Sequence, residues 1–555
     1  MALISINKIF LILHFLKITI ISFMSSFQIL IKNIYRFCLF IFLSALLTSC
    51  FNSDSYLDDK RVFRMSVNSE PPTLDWSLAT DNVSFDIITN IMEGLTQFNE
   101  KLEVKPAIAK SWSISEGGQK IVFELRKDVK WTDGKAVTAY DFEYSWKRLL
   151  NPVTAAEYAY FLYDIKNAFE YNSGAIKDPN KVGIKAVSPH TLEVYLKKPA
   201  VYFPSITTFM VTFPHRKDII EKFGDHWTDP ENIITNGPFQ LKEWWHEYRL
   251  ALESNEEYYG KKGNIDFIKI YIVQENSIAL TLYETGALDM LSALPPVAIP
   301  HLKNSPEYIN SPFLRGYYYG FNVKKTPFND VKVRKAFSMS IDREEITRIL
   351  QGGEVPTSSW IPKGMFGYNP EIGLKFDPDG AKELLSKAGY PKGKDFPEVT
   401  AVFNTDNANR LIAENLQAQW KRNLNINIRL DNMEWKVFLK KVKVDTPGLF
   451  RLGWGADFPD PDNFMNLFTT DSGNNNTRWG NQVYDRLIEE GARETNPEKR
   501  QLIYDQAQRI LTEEDAPIIS LFVAAQNILI KPYIKGFVAN AMDILYLKNI
   551  SIIKD

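Results

Sequence analysis

The sequence predicts a mixed α/β protein of several domains, and three observations carry that expectation. Short strand patterns alternate with helical ones beyond a polar stretch from Asn52 to Lys60. With 555 residues, the chain is too long for one compact core, and typical domain sizes suggest roughly two to five domains. No repeat of solenoid period and no low-complexity linker separates the parts, so the domains are expected to interleave.

The first fifty residues form a region of their own. Acidic side chains are missing until Asp54, and Ile, Leu and Phe dominate up to Leu47. A basic flank at Lys32 and Arg36 precedes an apolar run from Phe37 to Leu47 that is too short to span a bilayer comfortably. The residues Leu47, Thr48, Ser49 and Cys50 resemble a bacterial lipoprotein cleavage box, in which small residues precede a cysteine that takes lipid. Residues 1–49 are therefore expected to be a lipoprotein signal peptide and Cys50 a lipid anchor. A plain signal with a chance cysteine is the alternative. Met24 is the better start for such a signal.

Further on, "KIVFELR" places Ile121, Phe123 and Leu125 on one face, and "TLEVYLK" does the same with Leu192, Val194 and Leu196. That period of two predicts half-buried strands. "TAYDFEYSWKRLL" instead repeats apolar residues at Phe142, Trp146 and Leu149, with Thr138 placed to cap an amphipathic helix. "DPDGAKELLSKAGY" starts on an acid and stops at Gly389, and Ala408 to Arg422 reads as helix before the strand "NINIRL".

Composition narrows the function. Lys and Arg number 65 against 67 Asp and Glu, so the formal charge of -2 gives no field that would draw a nucleic acid. The 13% aromatic share, with 12 Trp and 25 Tyr, leaves rings for lining a site once the core is filled. Of the two cysteines, Cys38 leaves with the signal and Cys50 is lipidated in this reading, so no disulfide is expected. The six histidines lack ligand spacing, and His246 with Glu247 has no second histidine four residues on. With no phosphate-cradling glycine loop and no Gly-x-Ser-x-Gly elbow, neither a cofactor nor a metal is expected.

Six phrases then occur in order along nearly all of the mature chain: "SEPPTLDWSLATD", "IMEGLTQFNEKLEVKPAIAKSW", "VKWTDGKAVTAYDFEYSWKRLLNP", "NGPFQLKEW", "PFNDVKVRKAFSMSID" and "GWGADFPDPDNF". Together they resemble the oligopeptide-binding branch of the family 5 extracytoplasmic solute-binding proteins of bacterial ABC importers. The resemblance implies an α/β, bilobed periplasmic-binding-protein type II fold with an extra domain, three domains in all, closing on its ligand like a Venus flytrap. Domain I would comprise 50–92, 217–318 and 524–555, domain II 93–216, and domain III, the second lobe, 319–523. "GYYYGFN" near Tyr318 and "FVAAQN" near Ala524 would carry the chain between lobes. No enzymatic activity is implied. The expected partners are short peptides, the subunits of an ABC permease with a cytoplasmic ATPase, and the membrane through Cys50, but no nucleic acid. The protein would be a monomer in the periplasm or at the cell surface.

The same resemblance implies a site. Asp457, in "GWGADFPDPDNF", matches the acid that receives a peptide's ammonium group, which must be paired if it is buried. A helix or turn cap in "ADFPDPDN", and a calcium loop using Asp460 and Asp462, are the alternatives for this acid. Tyr158 matches a tyrosine facing the first peptide residue, and Trp454 and Trp435, nineteen residues apart, match indoles that wall side-chain pockets. Core packing is the other reading of all three. Arg451 matches an arginine able to meet a short peptide's C-terminal carboxylate, or is a solvated surface charge. Thr80, Asp81 and Asn82 correspond to backbone that pairs with an extended ligand, and Gly455 lies in the same motif as the acid. Two departures affect ligand length. Val442, between Lys441 and Lys443, stands where the family carries a second arginine, and Phe522, Val523 or Ala524 replaces a tyrosine.

An intact Asp457 argues for an amine-bearing ligand among the class's alternatives of dipeptides, cell-wall peptides, nickel chelates or haem. A secreted hydrolase and a surface interaction protein are the rivals from other classes. The first should release product from a substrate, and the second should show no thermal shift with peptides.

Overall fold

The computed structural model describes residues 60–200 and 202–553. The expected signal peptide, residues 1–49, and the expected anchor Cys50 lie outside the described residues.

The period-two stretches fold as strands. Lys120–Leu125 buries Ile121, Phe123 and Leu125, and Thr191–Tyr195 buries Leu192 and Val194. The two pair antiparallel at the centre of a four-stranded sheet, flanked by Ala109–Ser115 and Ile184–Ser188. Helix Ala139–Leu150 packs against this sheet and buries Phe142, Trp146 and Leu149. Thr138 occupies its N-cap position, where Asp141 ties the first turn by accepting from the Thr138 backbone N–H at 2.8 Å and its hydroxyl at 2.9 Å.

Helix Pro378–Lys387 begins after Asp377, whose carboxylate accepts from the Gly380 N–H at 2.9 Å, and Gly389 follows its end at φ +97°. Helix Asn407–Leu424 runs somewhat longer than expected. It stops at Asn425, whose φ of 58° breaks the helix and delays the following strand to Ile428–Met433. The strand thus starts three residues later than "NINIRL" suggests, because Asn425 and its neighbours belong to the helix cap.

Among the described residues the larger sheet has eleven strands, ten in one path and Val355–Pro356 pairing off it. At its middle, Tyr308–Phe321 and Ile518–Ile530 pair antiparallel, with register breaks between Pro312 and Gly316 and between Tyr317 and Tyr318. On one side lie Leu449–Gly455, Val399–Asn404 and Ile428–Met433. On the other lie Met290–Leu291, Val62–Val67, Phe267–Ile272, Arg249–Ser254 and Phe239–Trp245. One apolar cluster, which includes Tyr319, Phe321, Phe337 and Trp420, is drawn entirely from residues 317–524. Trp76, Trp131, Trp146, Trp360 and Trp420 are fully buried core rings. Among the described residues, no helix is long and apolar enough to cross a membrane.

Candidate functional site

Strand Leu449–Gly455 points its end at a cavity of about 700 Å³ that also receives residues from the start of the described chain and from the Ile518–Ile530 strand. Just past that strand, the chain turns through Asp457 into the short helix Pro461–Met465. The cap of that helix is Asp460, which accepts from the Asp462 N–H at 2.9 Å and is gripped by Arg500 through two bonds of 2.9 and 2.7 Å. The capping alternative for Asp457 therefore gives way, since its neighbour performs that task. The same grip commits both Asp460 oxygens, which a calcium loop would need.

Asp457 is only 7% exposed. Its Oδ2 accepts from Asn463 Nδ2 at 3.0 Å and, weakly, from the Tyr158 hydroxyl at 3.4 Å. Asn463 Oδ1 in turn accepts from the Asp457 backbone N–H at 3.0 Å and from the Trp454 indole at 3.1 Å. Among the described residues, Asp457 has no cationic partner. Burial pushes its carboxyl up to about 7, against the smaller opposing pull of Asn463 and Tyr158. The carboxylate is thus held in place by neutral groups that leave its charge uncompensated.

Rings surround it. Tyr158, in the turn Glu157–Leu162, is buried and stacks on Trp454 with centroids 5.9 Å apart. Trp435 opens helix Trp435–Val444, and it and Trp454 are half-buried and line the cavity. Tyr158 therefore belongs to the packed interior and to the cavity wall at once. Thr80 and Asn82 line the cavity where helix Asn82–Ile91 begins, with Asp81 as its cap accepting from Ser84 N–H at 3.2 Å. A Cβ on Gly455 would stand 3.8 Å from Asn82 Nδ2, which places the glycine and Asn82 side by side in the cavity wall.

Arg451 is 7% exposed, which removes its reading as a solvated surface charge. It donates from Nη1 to Asn404 Oδ1 at 3.2 Å and lies 4.4 Å over the Tyr317 ring, while its Nε has no hydrogen-bond partner. Val442 is buried at the cavity edge. Lys443 lines the cavity and pairs with Glu157, whereas Lys441 pairs with Asp445. Phe522 and Ala524 also face the cavity, and Phe522 stacks on Tyr317 at 4.7 Å.

The site residues expected from sequence, Cys50 apart, thus line one cavity. Two others were missed. Asn463 holds Asp457, and only its nearness in sequence could have suggested it. Arg315 also lines the cavity, and the signal available was a lone cation inside the aromatic strand "FLRGYYYGF".

This architecture, an α/β fold with an aromatic-walled cavity and a buried acid, defines a ligand-binding protein of the periplasmic-binding type II class. A family model described as bacterial extracellular solute-binding proteins, family 5 Middle, matches residues 103–476. The chain is 34% identical over 505 residues to the oligopeptide-binding protein OppA of Bacillus subtilis, covering 88% of this chain and 92% of that protein. The structure of the oligopeptide-binding protein OppAIV of Borrelia burgdorferi superposes with a TM-score of 0.85 at 34% identity, covering 89% of this chain and all of that one. The murein tripeptide-binding protein MppA of Escherichia coli gives 0.85 at 33% identity, covering 90% of this chain and 99% of that one. Its unliganded open form gives only 0.61, covering 90% and 98%. The described conformation therefore differs from an open state of the same architecture. The chain belongs to the family 5 bacterial extracellular solute-binding proteins.

Proposed function

We propose that this protein captures short peptides bearing a free amino terminus and delivers them to the permease of an ABC importer. The observation that carries the reading is Asp457, a buried carboxylate with a fixed orientation and no cationic partner among the described residues. A peptide ammonium supplies the missing charge, and the resulting charge-assisted bond is roughly twice as strong as a neutral one. Relatives named for oligopeptides and murein peptides support this ligand class. Tyr158, Trp454 and Trp435 form walls for side chains, Thr80, Asn82 and Gly455 offer backbone to an extended ligand, and Arg451 meets an anionic group.

In this reading domain I comprises 50–92, 217–318 and 524–555, domain II 93–216 and domain III 319–523, with a hinge in the long central strands near their register breaks. The ligand favours closure because only the closed state surrounds it. No bond is made or broken, and no cofactor takes part. Lipid on Cys50 holds a monomer at the outer side of a membrane, close to its permease and the cytoplasmic ATPase, and because one acyl chain anchors only marginally the modification carries several.

Calorimetry with free and N-acetylated forms of the same peptides tests the reading. Free peptides are expected to bind and acetylated ones to bind poorly. Equal affinity for both, or equal binding by Asp457→Asn, contradicts it. Membrane fractionation of Cys50→Ala tests the anchor, which is wrong if the variant stays with the membrane.

A further inference from the structure

The cavity holds a second guanidinium besides Arg451, on the neighbouring strand. In the register of strands Tyr308–Phe321 and Leu449–Gly455, Arg315 lies opposite Gly455, Tyr317 opposite Gly453 and Tyr319 opposite Arg451. Alternation puts these six positions on one face of the sheet. Because 453 and 455 carry no side chain, the floor between the two arginines is bare. A Cβ placed on Gly453 would lie 3.6 Å from Arg315 Nε and 3.9 Å from Arg451 Nη2, so both guanidinium groups reach over the same point from opposite sides.

Among the described residues, neither is held in an ion pair. Arg315 has no hydrogen-bond partner among them either, and its guanidinium lies 5.5 Å from the centroid of the Phe313 ring. Arg451 donates to a neutral amide, lies over the neutral Tyr317 ring and keeps an unpartnered, buried Nε. Two like charges at one bare spot are unfavourable in the empty cavity. Burial and the Arg451 charge push Arg315 down to about 10, which leaves it charged at neutral pH. Of the acids on the other side, Asp543 is pushed by burial up to about 6 against the pull of Arg315 and stays charged at neutral pH, while burial and the Asp543 and Asp81 charges push Asp86 well up. The two acids thus carry about one charge against the two guanidinium groups and, among the described residues, make no ion pair with either.

Resting on the peptide reading above, we infer that Arg315 and Arg451 together form an anion subsite above Gly453 that takes the C-terminal carboxylate of the bound peptide. Arg315 thereby does the work of a second cation where Val442 offers none. Gly453 lies in the strand that ends at Gly455 and Asp457 stands just past it where the chain turns, so the four-residue step between them spans at most about 13 Å at about 3.3 Å per residue. That span suits a tripeptide or tetrapeptide held by its amine at Asp457 and its carboxylate at the arginines.

The test is calorimetry of trialanine and tetraalanine, each as free acid and as C-terminal amide, on the wild type, Arg315→Gln and Arg315→Lys. For at least one length, the wild type is expected to bind the acid at least tenfold tighter than the amide. Arg315→Gln should cut that ratio to about threefold or less with amide affinity within twofold of wild type, and Arg315→Lys should keep part of the preference. A purely structural Arg315 would instead lower acid and amide affinity together. That outcome, an unchanged ratio in Arg315→Gln, or a wild type indifferent to the acid overturns the assignment while leaving peptide capture standing. A wild type that binds neither form at either length overturns both.

Discussion

Two buried aspartates follow opposite logic. Asp75 is 5% exposed and lies where three distant segments meet. Arg148 grips it through bonds of 2.9 and 2.5 Å, the Ser77 N–H donates to it at 2.9 Å, and His215, stacked on Trp76 at 4.4 Å, stands beside it. Burial works to raise its carboxyl, but His215 and the Arg148 guanidinium outweigh burial and hold it well below the usual carboxylate range. Asp457, about as deeply placed, has only neutral partners among the described residues and is pushed up by burial to about 7. The first carboxylate is completed by the fold. The second has no cation among the described residues, and in the proposed reading a peptide ammonium completes it.

The largest expected effect falls on the completed one. Asp75→Asn strands a half-buried guanidinium and should cost about 3–5 kcal/mol of stability in denaturant melts, with peptide binding by the folded fraction kept. A loss below about 1 kcal/mol would erase the contrast. Asp457→Asn should do the reverse. It leaves the ligand-free protein at least as stable as wild type and lowers the affinity of free peptides by about 2–5 kcal/mol in calorimetry.

The contrast sharpens with pH. An unfolded chain deprotonates Asp457 near 4, whereas the ligand-free fold keeps the proton up to about 7. The raised group therefore favours the fold at low pH, and that contribution is lost as pH rises from about 4 to 7. Melts of wild type and Asp457→Asn should diverge across this window. Asp75 has the opposite sign, because its stabilisation is present above about 4 and is lost on acidification below it. A peptide ammonium needs the Asp457 anion, so binding at pH 7 should release about half a proton, readable as a dependence of binding heat on buffer ionisation. Affinity should rise up to about pH 7 and fall above about 8, where the peptide amine loses its charge.

The smallest effect concerns Lys443 and Glu157. Their pair joins the turn that carries Tyr158 to the end of helix Trp435–Val444, but Lys443 is largely exposed. Lys443→Ala should change peptide affinity by under about 1 kcal/mol, with a weak salt dependence.

Legibility in the sequence followed distance along the chain. The strand at Ile121 and the helix at Phe142 were readable because their periodicity is local, and the strand at Ile428 was misplaced because a left-handed Asn425 leaves no hydrophobic mark. Asp457 stood out as an acid beside glycines and Trp454, although its partner Asn463 acquires meaning only when Pro461–Met465 folds back as a helix. Arg315 could be placed only by its pairing with a strand that begins 134 residues later. The Asp75 cluster draws on Arg148 and His215 and was illegible for the same reason.

The single amide of Asn463 touches both the Asp457 carboxylate and the Trp454 indole. In the proposed reading, an ammonium arriving at the first alters the polarisation felt by the second, so intrinsic indole fluorescence is expected to report occupancy through one side chain, with no attached dye.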